Sequence, residues 1–491
     1  MIVLFNDSVN PPTRTVGVYR IATVLRNYGL EVEVIDFISR WDFDKLMQYV
    51  KSIENVDWFG FSGKFMAPNE VSRPYLLKNP GIKNELTGLF TKLTTDQENE
   101  LVDYCISTCK PIVLGGPNAD IIRHMTDKLD VICLGYSDNA VLAIHEHLMN
   151  NSELIHEIYN NTKIVDADKD YPVTDLSNLE TYYVESDFID DDEVFAIEIA
   201  RGCIFHCAFC EFSHLGKKPG TYIRDKESIK RDILNRYEKY KSKRFLFVDD
   251  TFNDSVEKMQ MIKEIRDETG IPFEFWSYGR LDLLAAQPKQ VDLIPEIGWK
   301  EFTFGLETFN RDNGRKIGKG ADPEKLKTFL LTLRERFQHI RMQVNIIIGL
   351  PYDTEQSARE TAQWFIDNAH LTQNVKIMNL GMRDPEGRKF SSKFSQNPEK
   401  YGYEITGKNK KHRILLWKSE NFDFQTSRVL VDELRELLRA NISSKYKNRN
   451  LVGSLTDEDV FVEREDGTSV NLMIYKTEAY IRKKLEYRGL I

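Results

Sequence analysis

From Val194 onward the chain repeats one pattern six times: a short apolar run followed by a helical stretch. The apolar runs are Val194–Ala200, Arg244–Val248, Phe273–Ser277, Glu301–Gly305, Val344–Ile348 and Val375–Asn379, with helical patterns such as Lys226–Tyr240, Glu324–Phe337 and Thr354–Asn368 between them. Strand-then-helix units of roughly 30–45 residues predict parallel strands roofed by helices, which is barrel architecture. A closed barrel takes about eight such units. Six predict a partial (β/α)6 TIM-type barrel over 194–385.

Residues 1–165 alternate in the same way on a shorter scale. Ile2–Phe5, Val32–Phe37, Val56–Ser62, Ile112–Leu114 and Val131–Leu134 read as strands, and Val16–Tyr28 as a helix stopped by Gly29. The expectation is a doubly wound parallel sheet, with ligands at the carboxyl ends of its strands. Those ends carry Ser62, Gly63, Gly115, Gly116, Pro117 and Gly135, small residues that admit a large flat ligand to the backbone. Turn formation alone explains the same residues equally well. Residues 71–100 are rich in helix breakers and read as an insertion, 166–193 as an exposed linker. The charge-rich stretch 386–491, with one helix near Val429–Leu438, reads as a C-terminal α+β extension.

With 67 basic against 76 acidic residues the net charge is −9, which lacks the broad positive field of a non-specific nucleic-acid binder. The run Lys408-Asn409-Lys410-Lys411-His412-Arg413 reads as a solvated loop, so nucleic acid is not the expected partner. No apolar run reaches the ~18 residues of a membrane span. The start Met1–Phe5 lacks the basic lead of a secretory leader, and the chain is expected to be cytoplasmic.

Six cysteines are too few for a disulfide scaffold; Cys105, Cys109 and Cys133 read as small core residues. Cys203, Cys207 and Cys210 differ, because three and then two residues separate them in one loop directly after a barrel strand. Two metal sites suit such a trio. Zinc needs a fourth ligand, His206 or His214. A [4Fe-4S] cubane held by three thiolates keeps one iron open for something other than protein, with Phe205 and Phe209 shielding it.

The segment Cys203-x₃-Cys207-x-Phe209-Cys210 resembles the cluster loop of the radical S-adenosylmethionine (SAM) enzymes. Phe247-Val248-Asp249-Asp250-Thr251-Phe252, Tyr278-Gly279-Arg280-Leu281-Asp282, Phe304-Gly305-Leu306-Glu307-Thr308 and Ile348-Gly349-Leu350-Pro351 resemble, in order, the ends of that family's second to fifth strands. Residues 1–165 are similar to the cobalamin-binding-like domain of one branch, through Val32–Asp36, Val113–Asn118 and Asp130–Gly135. One departure stands out: Asn6–Gly17 contains no His where some cobalamin domains carry Asp-x-His-x-x-Gly. Cobalamin is then either bound without a His ligand or lost, leaving a scaffold.

The resemblance implies that Cys203, Cys207 and Cys210 are metal ligands and the catalytic centre. The open iron would chelate SAM, and one electron from a donor such as flavodoxin or ferredoxin would cleave the sulfonium to a 5′-deoxyadenosyl radical. Asp249 or Asp250 is expected to accept from the SAM ammonium, Arg280 to fork its carboxylate, Glu307 to bind ribose hydroxyls, and the backbone at Gly349 to take the adenine edge. Local roles stay open beside these: an Arg280–Asp282 ion pair, a helix cap at Asp250, a turn at Gly349-Leu350-Pro351. The expected reaction is cobalamin-dependent methyl transfer to a small molecule or peptide. The alternatives are radical rearrangement, cyclisation or oxidation with the first domain as scaffold, and a metal-binding module without turnover.

Overall fold

The structure is a computed structural model that describes residues 1–8, 13–63, 95–116, 119, 129–177, 179–191, 193–210, 221–372, 374–386, 391–409, 414–442, 461–463 and 469–491. Pro117, His214, most of the insertion at 71–100, and 410–413 of the basic run lie outside the described residues. The chain forms two compact units, Met1–Glu193 with Leu455–Ile491, and Val194–Ser454. Of the stretch read as one C-terminal extension, 386–454 falls in the second unit and 455–491 in the first.

In the first unit, β1 (Ile2–Phe5), β2 (Val32–Ile35), β3 (Trp58–Ser62), β4 (Ile112–Gly115), β5 (Val131–Leu134), β6 (Glu157–Tyr159) and β7 (Thr162–Asp166) form one sheet of order β2-β1-β3-β4-β5-β7-β6. All pairings are parallel except β6 with β7. The strands form because Ile, Val, Leu and Phe fill them and are buried on both faces, as a helix-covered parallel sheet demands. The order 2-1-3-4-5 reverses direction between β1 and β3, the switch point at which such sheets bind ligands. The hairpin β6–β7 lies at 157–166, where no strand is predicted; β6 is exposed at every residue and shows no apolar period.

In the second unit, β8 (Phe195–Glu198), β9 (Arg244–Val248), β10 (Glu274–Gly279), β11 (Trp299–Glu307), β12 (Arg341–Ile348) and β13 (Asn374–Asn379) pair in sequential order, every pairing parallel. The sheet does not close: β8 and β13 are its two edges. This is the partial barrel that the alternation predicts. Its helix side is an aromatic core in which Phe247 stacks on Phe275 at 4.1 Å and Phe275 on Trp299 at 6.1 Å, with Phe252 edge-on to Trp299 at 5.0 Å. On the opposite face Val248 and Tyr278 are exposed at the carboxyl ends of β9 and β10. Beyond β13 a hairpin (Glu404–Asn409 with Ile414–Lys418) and the helix Phe424–Asn441 complete the unit.

Candidate functional site

The thiol loop is a closed excursion from the end of β8. Ala200 and Ile223 form an antiparallel bridge, and Arg201 N–H donates to the Tyr222 carbonyl at 2.9 Å. Gly202 has φ +96, a left-handed turn that glycine adopts without strain. Arg201 forks onto Glu198 at 2.8 and 3.0 Å, and buried Arg224 ties the Glu198 carbonyl to Asp232. None of the three cysteines is in a disulfide; Cys207 is buried, Cys203 and Cys210 are half-buried.

The other strand ends meet this loop. From the segment after β9, Thr251 Oγ1 lies 3.4 Å from Cys203 Sγ. Burial pushes the Cys203 thiol up, and the Thr251 contact offsets part of that rise. From the end of β10, Arg280 Nη1 donates to Cys207 Sγ at 3.8 Å, and the guanidinium carbon sits 4.1 Å from the centre of the Phe205 ring. Past β11, Lys319 reaches Glu307 at 2.9 Å and the Gly305 carbonyl at 2.7 Å, with the Phe209 ring 5.9 Å away. Ala208 N–H donates to the Ile317 carbonyl at 3.0 Å, and Phe394 N–H to the Ala208 carbonyl at 3.1 Å. Thr251, Arg280 and Glu307, named from separate motifs or lying within one, are thus gathered around one loop.

Two of the expected ligand-binding positions are engaged within the protein. Asp249 is buried with both oxygens engaged, Oδ1 by Thr251 N–H at 2.9 Å and Oδ2 by Lys258 at 2.7 Å. Both its oxygens thus already serve the fold, whereas Asp250 beside it keeps exposed surface in a crowded setting. Enclosure by the surrounding protein and repulsion from Asp249 raise the Asp250 carboxyl to about 6. Gly349 has both of its backbone groups engaged within the protein. Its N–H goes to Asp353 at 3.0 Å, its carbonyl accepts from Tyr403 at 2.8 Å, and a Cβ there would meet Trp417 at 2.5 Å. Its φ of +94 serves packing. Arg280 forms the local pair with Asp282, Nε at 3.0 Å and Nη2 at 2.6 Å; burial works against its charge, and Asp282 with the nearby Cys207 and Cys203 sulfurs holds it above its ordinary value. Glu307 has a left-handed φ of +70 at a register shift in β11, a strained position fixed by Lys319.

Sequence reasoning missed Lys258. Fully enclosed, it binds Asp249, Asp254 at 2.8 Å and the Thr251 carbonyl at 3.0 Å, while Tyr222 donates to Asp254. Burial alone would lower its ammonium; the two carboxylates outweigh that and hold it above its ordinary value. The available signal was a lone lysine at a position of helix Val256–Thr269 that faces the sheet.

In the first unit Ser62, Gly63, Gly115, Gly116 and Gly135 lie at the carboxyl edge of the adjacent strands β3, β4 and β5. Gly63 N–H donates to the Gly115 carbonyl at 2.6 Å, and Gly135 has no room for a Cβ because Asp168 Oδ2 would lie 2.3 Å from it. Gly115 and Gly116 are the open pair, with no atom of the described residues closer than 3.6 Å to an added Cβ. At the end of β1, where a His-bearing motif would sit, Asn6 and Ser8 turn inward. Buried Asp36 accepts from Asn6 Nδ2 at 2.8 Å, Ser8 N–H at 2.9 Å, Ser8 Oγ at 2.8 Å and Tyr19 at 3.1 Å.

The donor set fits an iron–sulfur cluster: three thiols in one loop, hydrogen-bonding groups at two sulfurs, and aromatic rings beside them. Among the described residues no three His, Cys, Asp or Glu converge on a single ion. A cubane places each cysteine on a different iron, so a shared loop is the relevant feature. Along the glycine edge of β3 to β5, Gly115 and Gly116 are the positions where a ligand could approach the backbone. No helix among the described residues is long and apolar enough to cross a membrane.

Residues 197–365 match the radical SAM superfamily. The ribosomal protein uS12 methylthiotransferase RimO of Natranaerobius thermophilus is 23% identical over 256 residues, 49% of this chain and 54% of that protein. RimO of Thermotoga maritima is 24% identical over 249 residues, 49% of this chain and 55% of that protein. The chain thus spans about half the length of these curated relatives. Among solved structures, the radical SAM methyltransferase TsrM of Kitasatospora setae with cobalamin and [4Fe-4S] cluster bound superposes with a TM-score of 0.65 at 14% identity, covering 99% of both chains. The cobalamin-dependent SAM radical enzyme OxsB with aqua-cobalamin and SAM bound gives 0.60 at 12% identity, over 98% of this chain and 71% of that one. Residues 197–365, where those motifs are gathered, thus match the radical SAM superfamily, and the chain has the fold seen in TsrM and OxsB.

Proposed function

We propose that this chain is a radical SAM enzyme that carries out cobalamin-dependent methyl transfer to a small molecule or peptide. The observation that carries the reading is the closed loop Ala200–Ile223, which brings three thiols to the strand ends of an open parallel barrel. The matched relatives support it: TsrM is a SAM methyltransferase and RimO a methylthiotransferase. In this reading Cys203, Cys207 and Cys210 hold three irons of a [4Fe-4S] cluster, and Ser62, Gly63, Gly115, Gly116 and Gly135 back a cobalamin ring. When bound, the cluster supplies the electron that splits SAM and cobalamin carries the methyl group.

The chain's own residues do the rest. The thiols must lose protons to bind metal, and burial at Cys203 opposes this until a cation is present. Phe205 and Phe209 exclude water from the sulfurs. Asp250, exposed beside the loop, is the carboxylate positioned to take the SAM ammonium, and Glu307, steadied by Lys319, is positioned for hydroxyls. Tyr278 and Val248, exposed at the carboxyl ends of β10 and β9, line the way to a substrate. The electron comes from a one-electron donor of the flavodoxin or ferredoxin class.

The test is anaerobic reconstitution with iron, sulfide and cobalamin, followed by dithionite and SAM. Methyl transfer yields S-adenosylhomocysteine beside 5′-deoxyadenosine, with cobalamin retained on the protein; Cys207→Ala abolishes cleavage. Intact SAM cleavage in that variant would overturn the reading. A second reading, radical rearrangement, cyclisation or oxidation with the first unit as scaffold, is favoured by the inward-turned Asn6 and Ser8 at the end of β1. It yields 5′-deoxyadenosine alone and no bound cobalamin.

A further inference from the structure

We propose that Arg280 is a positioning residue for the cluster rather than a clamp for the SAM carboxylate: locked by Asp282, it directs an N–H at the Cys207 sulfur and so raises the cluster's one-electron potential. This rests on the reading of the three thiols as cluster ligands.

A guanidinium carries five donors in a rigid fork, and what each edge meets decides what is left. The Nε and Nη2 edge of Arg280 is filled side-on by the Asp282 carboxylate at 3.0 and 2.6 Å. That fills the side-on edge, one of the two at which a guanidinium forks a carboxylate. The remaining nitrogen, Nη1, donates to Cys207 Sγ at 3.8 Å, within range for a soft sulfur acceptor. The Phe205 ring, from the same loop as the thiols, lies against the guanidinium at 4.1 Å. The backbone is pinned as well. Arg280 N–H donates to Asn253 Oδ1 at 2.8 Å, its carbonyl accepts from Asn253 Nδ2 at 2.9 Å, and Gln290 holds Asn253 in turn at 3.1 and 3.0 Å.

A donor held on every side meets the sulfur without reorganisation. Adding an electron to a cluster places more negative charge on its sulfurs, so a fixed N–H and a positive charge stabilise the reduced form more than the oxidised one. Removing them lowers the potential. Lysine keeps the charge but has no fork to be locked by Asp282, so it restores the effect only in part.

The full-length chain is reconstituted anaerobically without SAM, and its cluster is titrated with dithionite and followed by electron paramagnetic resonance. Iron and sulfide per chain and the far-ultraviolet dichroism identify variants that fold and load as the wild type does. The expected result for Arg280→Gln is a tenfold less favourable reduction equilibrium, about 59 mV for one electron, with Arg280→Lys between it and the wild type. An unshifted midpoint in whichever of the two variants loads iron normally overturns the proposal, and a loss of SAM affinity there would mark Arg280 as the ligand clamp. A wild-type chain that takes up no iron and sulfide overturns the proposed function and this inference with it. A loaded wild type with unshifted variants overturns this inference alone.

Discussion

Lys258 has no exposed surface, and its ammonium meets two buried carboxylates, Asp249 at 2.7 Å and Asp254 at 2.8 Å. Deleting the amine strands both charges, and breaking a buried pair in this way costs about 3–5 kcal/mol. Lys258→Met should lower the unfolding free energy in urea by about that amount, and adding Asp249→Asn and Asp254→Asn should recover most of it. A wild-type midpoint in the single variant would count against the network. Asp353 is a second buried carboxyl, pushed to about 7 by burial although it accepts from Gly349 N–H, Leu350 N–H and Asn313 Nδ2. Its folded value lies above the unfolded ~3.9, so between those values the native chain holds a proton that the unfolded chain has lost. Stability from this group is full below about pH 4 and falls as pH rises towards 7. Asp353→Asn should flatten that fall in urea titrations at successive pH values; an unchanged slope would assign the pH dependence elsewhere. The grouping of the three thiols in one loop and the Arg280–Asp282 pair were legible in advance, because each is a local property of the chain. Lys258 acts across a helix, and that relation has no sequence spacing that announces it.

At the scale of elements, the strands that emerged from the sequence are those whose residues are apolar and enclosed: all six barrel strands and five of the first sheet. The hairpin Glu404–Asn409 with Ile414–Lys418 did not, since its first strand is largely exposed and charged and only alternate residues of the second are buried. Yet that hairpin delivers Trp417, which is fully buried against Gly349 and donates from Nε1 to the Leu380 carbonyl at 3.0 Å. Gly349→Ala must place a methyl group where Trp417 sits, at a φ of +94 that alanine avoids, and should cost about 2–4 kcal/mol. Gly381→Ala is the control. Nothing lies within 4 Å of a Cβ there, and the change should stay within about 0.5 kcal/mol. Equal unfolding midpoints for the two variants would refute the packing role assigned to Gly349.

The whole molecule joins its two ends in the first unit, a relation that no local pattern reveals. The edge strand β2 leaves main-chain groups that nothing in the sheet satisfies, a liability for any open edge. Helix Leu472–Tyr487 covers them. Tyr480 receives Asp36 N–H at 3.0 Å and donates to the Val34 carbonyl, Lys484 donates to the same carbonyl at 2.9 Å, and its ammonium pairs with buried Glu33. Glu33 also accepts from Tyr49 at 2.5 Å, so removing the helix uncovers a charged, partly satisfied edge. A chain ended at Ser454 keeps the whole of the second unit, including the thiol loop, and loses only the cover of the first. Limited proteolysis should then clear residues 1–193 while a fragment beginning near Val194 survives with its iron uptake intact. Lys484→Met should give a milder form of the same selectivity, because it strands the Glu33 carboxylate without exposing the strand. If 1–193 resists protease as well without the helix as with it, the sheet is self-sufficient and the edge contacts at Val34 and Asp36 contribute nothing to its stability.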